Sequence, residues 1–317
     1  MEHLLAALAR LLIGLLQRLP LGLTARVGRA IGALVHLLDA RHRRVARENL
    51  RRVFGAELTP PQIAALAREN FRRIGENFAC ATRTAVMRDE EIREVLEVEG
   101  AEKVIRATEG RSEGIVVAIG HFGNFELYAR ARRWIPGFQF ATTYRALRQP
   151  ALNRVLQDLR EQSGCLYFER RTESGALREA MSRQRLMIGF LADQHAGDRG
   201  LRVPFFDRDA STSAAPAVFA LRYHCPLCTA VCFRVGPGRW RIELGDPIPT
   251  HANGQPREVE AIMRDVNAAF EAAIRRDPAN WFWVHNRWKP GKYRSGPLEP
   301  FPVPPPAPPA PDPTPPG

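Results

Sequence analysis

The stretch that most constrains the fold is residues 115–127, Ile-Val-Val-Ala-Ile-Gly-His-Phe-Gly-Asn-Phe-Glu-Leu. Five branched or small apolar residues without a charge fit a strand buried on both faces, as in a parallel sheet. Gly120 and Gly123 punctuate its end. Asn124 can cap a following helix whose first turn holds Glu126. His121 then stands at the C-terminal tip of a central strand, where open α/β sheets place their ligands. Residues five apart on one continuous helix point well apart, so His121 and Glu126 meet only if the two glycines turn the chain between them.

A second buried run, residues 186–192, also ends in polar residues: Asp193, Gln194 and His195. Around these two runs, strand and helix patterns alternate at βαβ spacing. Short strands fit 95–98, 138–144 and 165–168, and helices fit 100–108, 150–163 and 175–183. Further on, 227–235 and 239–244 form a hairpin across Gly236-Pro237-Gly238, and 257–275 is an amphipathic helix. The expected fold is α/β, a mixed β-sheet flanked by helices. Residues 41–292 make one domain, residues 1–40 a helical segment before it, and residues 293–317 a tail. From Pro297 the tail holds 12 prolines in 21 residues, which predicts a disordered or polyproline II extension.

Residues 4–38 are apolar but interrupted by Arg10, Arg18, Pro20, Arg26 and Arg29. The pattern splits at Pro20 into helices near 2–18 and 23–39. No run of about 18 residues is free of charge, so an ordinary transmembrane helix is not clearly met. Three forms stay open: a short spanning or re-entrant anchor, an interfacial hairpin with snorkelling arginines, or an amphipathic hairpin buried on the domain. The sequel favours membrane attachment. Arg41, Arg43, Arg44, Arg47, Arg51 and Arg52 follow against Glu48 alone, as expected on a cytoplasmic face. The helix after them, residues 59–80, opens with Thr-Pro-Pro and carries Ile63, Leu66, Phe71, Ile74 and Phe78 on one side.

Charge points the same way. Lys and Arg number 46 against 34 Asp and Glu, a net charge of +12, which suits a polyanionic partner. Five cysteines, three of them within 225–232, give no disulfide framework and fit a reducing compartment. Cys225 and Cys228 enter an apolar strand without a second pair, so packing is expected there rather than metal binding. Gly110-Arg-Ser-Glu-Gly114 has Gly-x-Ser-x-Gly spacing but precedes the apolar run 115–119 instead of following a strand, so it is not a nucleophile elbow. No Walker A motif, His-Glu-x-x-His or complete Gly-x-Gly-x-x-Gly occurs. A neutral His121 can take a proton from an attacking hydroxyl, with a carboxylate fixing its tautomer. On residue types alone, the same pattern also fits a histidine capping the strand with Glu126 on a solvated face.

An ordered series of motifs resembles the lipid A biosynthesis acyltransferases, the lauroyl and myristoyl transferases within the lysophospholipid acyltransferase superfamily. It runs from the apolar N-terminus through Arg47-Glu-Asn-Leu50 and Phe54 to the His121-x4-Glu126 stretch (an HX4E motif). It continues with Tyr144-Arg145 and Pro150, Asp193-Gln194, Val203-Pro204-Phe205-Phe206 and the block from Trp281 through Trp283, His285, Arg287 and Trp288 to Lys289. The resemblance implies a glycerolipid acyltransferase-like fold and an acyltransferase on the cytoplasmic side of the bacterial inner membrane. It implies His121 as general base and Glu126 as the carboxylate that orients it. It also implies Arg145, Asp193, Gln194, Asn124, Arg287 and Lys289 as substrate-binding residues, with no metal and no cofactor. The donor would be an acyl-acyl carrier protein or acyl-CoA thioester, and the acceptor a hydroxyl of an anionic glycolipid, foremost a lipid A precursor. A lysophospholipid, an aminolipid or a phosphatidylinositol mannoside is the alternative acceptor. The rival from another class is a non-catalytic basic membrane- or nucleic-acid-binding protein on the same scaffold. An intact His121 and Glu126 argue against it, and the aromatics cluster near the C-terminus, so no nucleic-acid partner is expected. Asp207 stands where the family usually has Gly, and residues 214–216 read Ala-Ala-Pro where Gly more often precedes Pro. Both departures bear on which acceptor is used.

Overall fold

The computed structural model of this chain describes residues 2–290. The expectation of a disordered tail at 293–317 lies outside the described residues. Four helices come first: α1 (Glu2–Arg18), α2 (Leu21–Leu38), α3 (Ala40–Phe54) and α4 (Pro60–Ala85). Then follow α5 (Asp89–Val95), β1 (Leu96–Glu99), α6 (Ala101–Ala107), β2 (Ile115–Ile119), a 3-10 segment (Phe125–Arg133), β3 (Gln139–Tyr144), α7 (Pro150–Glu161), β4 (Leu166–Glu169), α8 (Ser174–Arg183) and β5 (Leu186–Leu191). A hairpin of β6 (Leu201–Phe205) and β7 (Arg208–Thr212) leads through α9 (Ala215–Arg222) to β8 (Leu227–Gly236), β9 (Arg239–Leu244) and α10 (Val259–Arg276).

Seven strands form one mixed sheet in the order β1-β9-β8-β2-β5-β3-β4. Strands β8, β2, β5, β3 and β4 are mutually parallel, whereas β9 runs antiparallel to β8 and β1 follows β9. All five residues of β2 are buried, as its uncharged run requires. Side chains alternate across the sheet, so β2 serves two cores. Val116 and Ala118 join a core built with α3, α4, α8, α9 and α10. Ile115, Val117 and Ile119 join the other, built with α5, α6 and the 3-10 segment.

The N-terminal hairpin packs on α4 through glycines. A Cβ on Gly28 would lie 2.5 Å from the Gly75 carbonyl oxygen, and one on Gly32 would lie 2.2 Å from that of Phe71. The Gly28-x-x-x-Gly32 spacing thus brings two backbones together within the chain, as small residues do between membrane helices. Arg29 on α2 donates to Glu69 at 2.8 Å and to Glu76 at 3.3 Å. Glu76 is buried and also accepts from Arg234 Nε at 2.9 Å, which ties the hairpin to the sheet. Helix α1 is held to α7 by Glu2, which accepts from the Ala151 N–H at 2.8 Å. The hairpin is not covered by the domain. Leu4, Leu8, Leu11 and Leu12 on α1 and Leu34, Leu37 and Leu38 on α2 are at least half exposed. Among the described residues, α2 alone is long and apolar enough to cross a membrane, by length and composition only.

Two local expectations change. The segment after Asn124 is 3-10 rather than α-helical, and Asn124 makes no side-chain cap. Phe78 does not face the core: it is 51% exposed and meets Phe125 and Phe282 edge-on.

Candidate active site

Pairing of β2 with β5 sets Ile119 beside Leu191, and the Ala192 N–H donates to the Ile119 carbonyl at 3.0 Å. The residues just past both strand ends therefore meet. The His121 Nδ1 lies 2.8 Å from Asp193 Oδ1, and the His121 backbone N–H donates to Asp193 Oδ2 at 2.9 Å. Trp281 Nε1–H donates to the same Oδ2 at 2.8 Å. Asp193 is wholly buried. Burial works to raise its carboxyl, but the His121 ring and hydrogen bonds outweigh it and hold it below the usual carboxylate range. With Nδ1 committed to Asp193, the neutral His121 ring presents the Nε2 lone pair as its free base.

The turn that carries His121 has no room for side chains. A Cβ on Gly120 would fall 2.6 Å from the Phe122 ring and 3.2 Å from Asp193 Cγ. Gly123 has φ +52°, and a Cβ there would fall 2.5 Å from the Cys232 carbonyl. A strap of residues 278–288 closes over this turn. The Gly123 N–H donates to the Asn280 carbonyl at 3.2 Å, and Asn280 Nδ2 donates to that of Cys232 at 2.9 Å. Buried asparagines anchor the strap from below: Asn49 donates to the Trp283 and His285 carbonyls, and Asn70 donates to those of Ala279 and Trp281. Trp281 and Trp283 are fully buried. The hydrogen bond from Trp281 to Asp193 was not legible in the sequence.

Glu126 does not take the place on His121 that the HX4E spacing suggests. The Phe125 ring packs against the His121 ring, with centroids 5.0 Å apart. Glu126 turns to Arg160 on α7, which donates to its two oxygens at 2.6 and 3.2 Å. The Arg160 guanidinium lies over Tyr167, 5.1 Å from the ring centroid, and near Tyr144 at 5.8 Å. Burial works to lower the Arg160 pKa, but the Glu126 carboxylate outweighs it and the guanidinium stays above its ordinary value. Nothing in the sequence singles out Arg160 among 46 basic residues.

These groups border a cavity of about 540 Å³ between the sheet and the 3-10 segment. His121, Glu126, Arg145, Arg160, Gln194 and His285 line its polar part. Val117, Ile119, Ile135, Phe140, Met187 and Leu244 line its apolar part. Cys165 also borders it, and burial pushes this thiol up to about 12. Burial, with His121 and Arg287 nearby, pushes the His285 imidazole down to about 4 against the pull of Asp193.

Four predicted substrate-binding residues are placed differently. Asp193 supports the site from behind His121 and does not line the cavity. Asn124 is buried, donates to Thr84 Oγ1 at 3.3 Å, and borders only a small recess beside His121. Arg287 is fully buried under Phe205, where it donates to the Ser211 carbonyl and to Thr212 Oγ1. Its guanidinium closes the strap onto β7 and does not reach the cavity. Lys289 is exposed and does not itself line the cavity. Asp207 also lies elsewhere. Phe206 and Asp207 have φ +51° and +55° and form the two-residue turn between β6 and β7, where glycine is the unstrained choice. The Asp207 departure is thus a matter of turn strain, outside the cavity.

The profile of the bacterial lipid A biosynthesis acyltransferases matches residues 2–290. The chain is similar to the lipid A biosynthesis palmitoleoyltransferase of Escherichia coli (strain K12). They are 25% identical over 283 residues, 86% of this chain and 87% of the relative. The lipid A biosynthesis acyltransferase of Shigella flexneri matches with the same identity and coverage.

Proposed function

Because this chain belongs to the bacterial lipid A biosynthesis acyltransferase family, and is thus an acyltransferase of lipid A synthesis, we propose that it moves an acyl chain from a thioester directly to a hydroxyl of a lipid A precursor. The acceptor hydroxyl gives its proton to His121 Nε2 as its oxygen attacks the thioester carbonyl carbon. The C–S bond of the resulting tetrahedral intermediate breaks, and the imidazolium returns the proton to the leaving thiolate. An ester and a free thiol result. Asp193 fixes the His121 tautomer and steadies the imidazolium, the part that the HX4E pattern had assigned to Glu126. Glu126 holds Arg160 in place at the polar end of the cavity. No acyl-enzyme is needed, and Cys165 is a poor nucleophile because its thiol is held protonated.

One observation carries this reading: a histidine backed by a buried carboxylate opens onto a cavity that is polar around His121 and apolar along the sheet. Exposed Arg145 and Arg170 at its border suit a phosphate, either of the acceptor or of the pantetheine arm of an acyl carrier protein or coenzyme A. The exposed leucines of α1 and α2, followed by exposed Arg41, Arg44 and Arg51 on α3, suit the cytoplasmic surface of the inner membrane. The test uses wild type and His121→Ala in detergent, with acyl carrier protein bearing labelled chains and a panel of lipid acceptors. Wild type should acylate a lipid A precursor and His121→Ala should not. Equal rates would refute the mechanism, and transfer only to a lysophospholipid would refute the acceptor.

A further inference from the structure

Strand β5 reads Leu-Met-Ile-Gly-Phe-Leu, and its glycine stands in the middle of a central strand. Such a glycine weakens a strand and often marks a place where a ligand comes close. The backbone does not demand it, since Gly189 is absent from the positions with positive φ. Its face explains it. Met187, Gly189 and Leu191 point to the cavity, whereas Ile188 and Phe190 point to the opposite core. Beside Gly189 in the sheet lie Val117 on β2 and Thr142 on β3, and both also line the cavity. A Cβ on Gly189 would sit 3.1 Å from Ile119 Cδ1, a movable methyl, with the nearest backbone atom 3.9 Å away. The space where a side chain would stand is therefore part of the cavity.

Gly189 also stands at a passage. Met187 lies two residues, about 7 Å, further from the His121 end of the sheet. It pairs with Phe140, and Phe140 and Ile135 also line the cavity. A side chain at position 189 would separate these deep residues from His121. We propose that Gly189 determines acyl-chain selection, its missing side chain being the gap through which the chain's methyl end reaches the space under Met187, Phe140 and Ile135. This rests on the reading of the cavity as the acyl site.

The test compares wild type with Gly189→Leu, Gly189→Ala, Met187→Ala and the Gly189→Leu/Met187→Ala double variant in detergent. Each is offered acyl carrier protein bearing saturated chains from octanoyl to stearoyl, with a lipid A precursor as acceptor. Because each methylene in an apolar pocket is worth roughly tenfold or more in selectivity, Gly189→Leu should lose at least about tenfold in kcat/KM for the longest chains used by wild type and stay within about twofold for the shortest. Met187→Ala should favour longer chains in the wild-type background and have no effect on length in the Gly189→Leu background. If Gly189→Leu does not fold, Gly189→Ala carries the test, with a smaller shift in the same direction. An unchanged length preference in a folded Gly189 variant overturns the inference and leaves the acyltransfer reading standing. If wild type transfers no chain from any of the thioesters, both fall.

Discussion

The two faces of the sheet are made from the same strands and built for different ends. On one face Val116, Ala118, Ile188 and Phe190 meet α8, α9 and α10 in a closed core. On the other, Val117, Ile119, Met187 and Gly189 look into about 540 Å³ of open space under the 3-10 segment. Adjacent residues of one strand therefore answer to different demands. The closed face supplies stability through burial, and the open face gives some of that up to keep room for a ligand. His121 and Asp193 sit where the open face reaches the strand ends, so the chemistry is attached to the hollow side.

The contrast fails at once if the strand-end pair is not functional. Asp193→Asn keeps the shape of the buried site but removes the charge that steadies the imidazolium, and it should lower transfer by about 10²–10⁴-fold. Initial rates at saturating donor, beside a melting curve that shows the variant folded, check this. Gly120→Val and Gly123→Val should also abolish transfer, because a Cβ at 120 would fall 2.6 Å from the Phe122 ring and one at 123 would fall 2.5 Å from the Cys232 carbonyl, which displaces the turn that carries His121.

Stability should separate the faces at neighbouring positions. Ile188→Ala, in the closed core, should cost about 2–5 kcal/mol, whereas Met187→Ala, which already borders a void, should cost less than about 2 kcal/mol. Urea titrations of both variants would decide, and equal losses would erase the distinction.

The open face should also carry a pH signature. The His285 imidazole is held neutral in the folded protein down to about 4, against 6.5 in the unfolded chain. Between these values the unfolded state binds the extra proton. Stability contributed by this site is therefore complete above pH 6.5 and falls as pH drops toward 4, by on the order of 3 kcal/mol. His285→Gln should flatten that window in pH-dependent denaturation. The smallest effect belongs to the β6–β7 turn, away from both faces: Asp207→Gly should relieve left-handed strain and stabilise by about 1 kcal/mol, with no change in chain preference.

The parts legible in the sequence were those governed by local chemistry. Uncharged runs fixed β2 and β5 to within a residue, and Pro20 marked the break between α1 and α2. The mixed sheet followed from the alternation of strands and helices. The site was legible only as far as His121 and its turn. The family resemblance implied Glu126 as the partner, reached only if the chain turned at Gly120 and Gly123. The structure instead supplies Asp193, 72 residues away, through strand pairing. The sequence places Asp193 at a strand end, yet only the β2–β5 register puts it on His121. Arg160 and the Trp281 hydrogen bond depend on packing among distant elements and leave no local mark. Arg287 misled for the same reason: a guanidinium in a motif reads as a ligand group until its burial under Phe205 is seen.

The most direct test of the account is the structure of the protein with a non-transferable acyl thioester analogue bound. The carbonyl carbon should lie within hydrogen-bonding reach of a hydroxyl on His121 Nε2. The chain should run along the open face past Gly189 toward Met187, Phe140 and Ile135. A chain lying outside along the leucines of α1 and α2, with the cavity empty of it, would contradict the account.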